Sequence, residues 1–63
     1  MKRSALLVWV RSQGCILKRE GRTHSLWMNP RTGTVGAVPR RPEIPDALAR
    51  RIIHALSVSD AGD

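Results

Sequence analysis

His24 can pass a proton on and off near neutral pH, and it stands in the stretch Glu20-Gly21-Arg22-Thr23-His24-Ser25-Leu26-Trp27. Imidazole is the side chain whose unperturbed pKa lies in that range. The chain around it is strongly basic, with 11 Lys and Arg against 5 Asp and Glu. Two of those acids, Asp60 and Asp63, fall in the last four residues. Residues 1–56 keep all eleven cations and only Glu20, Glu43 and Asp46, a net of +8. Nine of the eleven are arginine, whose planar fork suits phosphate oxygens. A proton-transfer group on a surface that gathers polyanions points to binding of RNA and to its cleavage.

RNA needs little assistance to break. Its 2′-hydroxyl is an internal nucleophile already held beside phosphorus, so the entropy cost of bringing reactants together is largely met. A positioned base contributes roughly 10²–10⁴-fold, and preorganised cations around the phosphate must supply comparable help. His24 is the candidate base or acid. Arg22, with Arg40 or Arg41, is the candidate clamp, and Lys18 reaches the same face. By alternation Arg19 points with Cys15 and Leu17, toward the helices or the sheet rim. The plainer alternative is an exposed strand histidine without a role. His54 reads as solvated surface, and Cys15 as a core residue behaving as a small hydrophobe. Thr23 and Ser25 alternate away from His24, toward backbone partners. No acid pair or His-x-x-Glu cluster offers a metal set, so metal-independent action without a cofactor is expected.

These groups need a scaffold, and 63 residues allow one domain at most. A chain of this size buries only about 60% of the surface its unfolded form exposes, which excludes a deep cleft. One cysteine excludes an internal disulfide. The apolar run Ala5–Val10 is too short to span a membrane and lacks a signal-cleavage site, so a cytoplasmic location is expected.

The spacing predicts a helix over residues 3–13, capped by Ser4, with Leu6, Trp9 and Val10 on one face and Gly14 as its stop. Residues 15–19 read as a strand and Glu20-Gly21-Arg22 as a turn. Thr23–Asn29 reads as a second strand, with Thr23, Ser25 and Trp27 on one side and His24, Leu26 and Met28 on the other. Asn29-Pro30-Arg31-Thr32-Gly33 is a turn. Thr34–Val38 is a third strand, ended by Pro39. A second helix opens with Pro45 in its first turn and Asp46 at its positive end. Its stripe is Leu48, Ile52, Ala55 and Leu56, and it frays from Ser57. The expected fold is therefore two-layer α+β, in the order α-β-β-β-α. A three-stranded antiparallel sheet carries both helices on one face and His24 on the other. Residues 1–58 form the domain and 59–63 a flexible acidic tail.

Residues 14–58 resemble the HicA family, the toxin half of a bacterial toxin–antitoxin pair. The matching features run in order: Gly14, Arg19, Arg22-Thr23-His24, Trp27, Pro30, Val38-Pro39-Arg40-Arg41, Glu43-Ile44 and Leu48-Ala49-Arg50-Arg51-Ile52. Arg22 stands where the family has glycine, beside Gly21, and Arg41 where it often has a second histidine. The resemblance implies a fold similar to the double-stranded-RNA-binding domain. It also implies ribosome-independent cleavage of single-stranded mRNA by the strand histidine, and a HicB-type antitoxin that covers that histidine. Leu26 and Met28, apolar beside a polar site, are the expected partner interface. A weak homodimer contact or a third packing layer would account for them equally well. The rival function is a non-catalytic RNA-binding module of the same fold.

Overall fold

The computed structural model describes residues 1–57. Their order is α1 (Arg3–Ser12), β1 (Ile16–Glu20), β2 (His24–Asn29), β3 (Thr34–Pro39) and α2 (Asp46–Ser57). The strands form one antiparallel sheet in the order β1-β2-β3. The expected α-β-β-β-α order and sheet topology are present. Gly14 and Gly33 carry the two positive φ angles among the described residues, +81° and +76°, at the end of α1 and in the β2–β3 turn. Glycine takes this left-handed backbone without the Cβ penalty that other residues meet there.

The core lies between the helices and one sheet face. Leu6, Leu7 and Val10 of α1 and Ala49, Ile52 and Leu56 of α2 pack with Trp27, Val38, Ile44 and Cys15. Each fully buried aliphatic side chain contributes about 1.5–3 kcal/mol relative to an exposed one. Asn29 is fully buried with them. Its Nδ2 donates to the Leu56 carbonyl at 2.7 Å, and its Oδ1 accepts the Arg31 N–H at 3.0 Å. One side chain thereby ties the β2–β3 turn to the last turn of α2. This removes the cost of burying an unpaired amide.

Several expected details shift. Helix α1 starts at Arg3 with Lys2 as its N-cap, and no side chain caps it, so Ser4 is not the cap. The start is fixed through the backbone instead, by a bridge between Lys2 and Glu43 and by the Arg3 N–H donating to the Pro42 carbonyl at 2.9 Å. Pro45 precedes α2, and its carbonyl accepts the Ala49 N–H at 2.9 Å. The α2 stripe is Ala49, Ile52 and Leu56, with Leu48 and Ile53 at its flanks; Ala55 is only half-buried. Ser57 belongs to the helix rather than to a frayed end. The expected tail, 59–63, lies outside the described residues.

Candidate nucleic-acid interface on the open sheet face

Strand β2 divides the sheet by parity. Ser25, Trp27 and Asn29 are buried under the helices, while His24 is exposed and Leu26 and Met28 are half-buried on the opposite face. Pairing puts His24 opposite Pro39, Leu26 opposite Ala37 and Met28 opposite Val35 on β3. Ile16 of β1 is opposite Met28. The open face thus has an apolar middle, with Ile16 and Val35 substantially exposed, and His24 at one end.

A bulge in β1 decides which cation joins it. Leu17 pairs with Trp27, but Arg19 pairs with Leu26, so Lys18 is the extra residue. One inserted residue reverses the facing of everything after it. Simple alternation puts Lys18 on the histidine face and Arg19 behind it. Instead Arg19 lines the hollow beside His24 and Lys18 does not. Edge bulges carry no composition signal strong enough to have located this one; two adjacent cations on an edge strand are the only hint.

Two hollows flank the imidazole and share Arg22, Thr23 and His24. The first, about 340 Å³, is completed by Arg19, Gly21, Leu26 and Ala37. The second, about 420 Å³, is completed by Pro39, Arg40 and Arg41. Both are shallow, and four guanidiniums border them. Arg40 is partly committed. Its Nη1 lies 3.2 Å from Glu20 Oε2 and donates to the Gly21 carbonyl at 3.1 Å. This exposed pair is worth at most about 1 kcal/mol, and it holds Arg40 at the rim. Arg22 and Arg41 have no such partner among the described residues.

The loop before His24 also departs from expectation. Thr23 precedes the strand, so strand alternation does not apply to it. Its Oγ1 lies 3.0 Å from His24 Nδ1. With Nδ1 held there, Nε2 is the ring nitrogen left to meet a substrate. Gly21 turns the chain without a positive φ. A Cβ at this position would sit 2.8 Å from the His24 carbonyl oxygen, which accepts the Gly21 N–H at 2.8 Å. Glycine is required here for close approach rather than for a left-handed backbone.

Behind the sheet, Ser25 belongs to a different network. Arg3 Nη2 donates to its Oγ at 3.0 Å, and that Oγ donates to Glu20 Oε1 at 2.8 Å; Arg3 Nε donates to the Pro39 carbonyl at 2.8 Å. Ser25 is therefore turned away from His24, as expected, but its hydroxyl meets the Arg3 and Glu20 side chains rather than the expected backbone groups. Cys15 is buried and free. Burial pushes its thiol above the ordinary range, against a lesser opposing pull from Arg31, so little thiolate is present to act as a nucleophile. His54 is exposed on α2. Among the described residues no helix is long and apolar enough to cross a membrane. No protein-family model, curated protein or solved structure matches the chain.

Proposed function

We propose that this chain is a ribonuclease toxin of the HicA type, a metal-independent endoribonuclease that cleaves single-stranded mRNA in the cytoplasm and so stops translation. The observation that carries this reading is the exposed His24 imidazole on the uncovered sheet face. Its Nδ1 is held by Thr23, and Arg19, Arg22, Arg40 and Arg41 border the hollows on either side. With Nδ1–H donating to Thr23 Oγ1, the unprotonated Nε2 removes the 2′-hydroxyl proton. The 2′-oxygen bonds to phosphorus as the bond to the 5′-oxygen breaks, and the imidazolium returns the proton to that leaving oxygen. The products are a 2′,3′-cyclic phosphate and a 5′-hydroxyl. The guanidiniums meet the charge that builds on the phosphate oxygens. Leu26 and Met28, continuous with Ile16 and Val35, offer the apolar surface on which a HicB-type antitoxin would close over His24.

One observation favours the rival, a non-catalytic RNA-binding module. Neither hollow holds a second imidazole or a carboxylate, so one ring must serve as both base and acid. A defined RNA oligonucleotide and its fully 2′-deoxy counterpart separate the two readings. The nuclease leaves cyclic-phosphate ends on the RNA and the 2′-deoxy strand intact, with or without chelator. RNA that is retained at low salt but never cut belongs to the binding module. Loss of cleavage on chelation would remove the metal-independent mechanism.

A further inference from the structure

A hollow larger than the two at His24 lies elsewhere among the described residues. It is a groove of about 700 Å³ along α1, closed on the other side by the loop after β3. Ser4, Leu7, Val8 and Arg11 form one stripe of the helix and make its wall, roughly 10 Å long at 1.5 Å per residue. Lys2 and Arg40 also line it. Its single carboxylate, Glu43, already faces the Met1 ammonium at 3.1 Å. Arg3 is likewise committed, to Pro39 and Ser25. The Lys2 ammonium has no hydrogen-bond or ion-pair partner among the described residues, and Arg11, an exposed residue, lies over the Trp27 ring, 5.4 Å from its centroid. Val8, 66% exposed, lies uncovered between them. Arg40 lines both this groove and the Arg41 side of the His24 site.

We infer that the α1 groove is a second RNA subsite, in which Lys2 and Arg11 hold backbone phosphates of nucleotides flanking the scissile bond. The inference rests on the reading of His24 as an RNA site. A strand leaving the second hollow past Arg40 enters the groove without crossing a carboxylate that is free. Its phosphates then meet Lys2 and Arg11, while its bases lie over the apolar wall at Leu7 and Val8. An isolated acidic peptide would use the same cations, but it has no reason to need the continuity through Arg40. The expected consequence is a preference for long substrates, since a dinucleotide fills only the His24 hollows.

The test compares Lys2→Gln/Arg11→Gln with the parent, both in a His24→Ala background, for binding of a single-stranded oligoadenylate across a salt series. Two lost phosphate contacts make the log–log slope shallower by about 1.4, at roughly 0.7 per contact on single strands. Lys2→Arg/Arg11→Lys restores the slope. Lys2→Gln alone, at an exposed side chain with no hydrogen bond or ion pair among the described residues, gives about half the change and guards against misfolding of the double variant. With His24 intact, cleavage of a dinucleoside monophosphate is unaffected by Lys2→Gln/Arg11→Gln, whereas KM for the long RNA rises. An unchanged slope overturns the subsite, even where the parent enzyme cleaves RNA. A shallower slope without any cleavage by the parent supports the subsite and removes only the nuclease reading. If polyglutamate binding falls in the double variant while oligoadenylate binding does not, the groove belongs to an acidic polypeptide and the inference fails.

Discussion

The two faces of strand β2 carry opposite commitments within six residues. On the covered face Ser25, Trp27 and Asn29 are buried, and both polar side chains among them are hydrogen-bonded. On the open face His24, Leu26 and Met28 meet solvent beside Arg19, Ile16, Val35 and Ala37. The first arrangement gives stability: apolar area is removed from water and the Ser25 and Asn29 side chains are hydrogen-bonded, while the buried Trp27 indole N–H has no partner among the described residues. The second gives little stability and leaves a proton donor, cations and apolar surface free for another molecule. A domain this small has little interior to spare for a site, and the candidate site lies on the face the helices leave open.

That contrast is broken most severely from the covered side. Leu56→Ala should lose about 2–5 kcal/mol in chemical denaturation, because it opens a cavity and loses transfer energy at a fully buried position. Cleavage per folded molecule should stay as it was. Reduced activity in the folded fraction would show that the two faces are not separable.

A substitution on the site side should do the reverse. Thr23→Val removes the hydroxyl 3.0 Å from His24 Nδ1. A hydrogen bond of about 0.5–1.5 kcal/mol corresponds to a rate loss of up to about tenfold. Unfolding should be nearly unchanged, the pH–rate profile should move, and Thr23→Ser should restore both. A rate loss without any change in the pH profile would make Thr23 a structural residue rather than a positioning one.

The smallest expected effect lies away from both faces. The Met1 ammonium is 3.1 Å from Glu43 Oε2 and 3.0 Å from Asp46 Oδ1, and it donates to the Ile44 carbonyl at 2.9 Å. The hydrogen bonds to Asp46 and Glu43 raise the ammonium's pKa, and the same contact lowers that of Asp46. The ammonium's contribution to stability is full below its unfolded value and lost as pH rises through the higher folded value. That of Asp46 is full above its unfolded value and lost as pH falls through the lower folded value. Stability should therefore be flat between about pH 4 and pH 8 with respect to this clasp and decline modestly on either side. An acetylated Met1 should remove the alkaline decline. An alkaline decline that persists after acetylation would place its cause elsewhere.

The sequence reads most clearly where one local rule governs. Period-two alternation places Ser25 and Trp27 inward and His24, Leu26 and Met28 outward, and the glycines after α1 and in the Asn29–Gly33 turn mark where the chain reverses. It reads poorly where two segments decide together. The position of Arg19 depends on the register of β1 against β2, which nothing within β1 alone announces. Thr23 belongs to the loop, so extending the strand pattern by one residue points its hydroxyl away from the His24 ring that it meets. Ala49 and Ala55 are the same residue, so composition does not choose between them, and the packing of α2 against the sheet sets the helix phase that buries Ala49. The commitment of Arg40 to Glu20 and Gly21 is a tertiary contact across the sheet end, invisible in a charge count.

The most direct measurement pairs RNA cleavage with thermal unfolding for the parent chain and His24→Ala. His24 is exposed, so its truncation should leave stability within the range of ordinary surface substitutions, about 0.5 kcal/mol. Turnover should fall roughly 10²–10⁴-fold. Equal cleavage by both proteins, or a loss of cleavage that tracks a loss of folding, would contradict the assignment of chemistry to the open face.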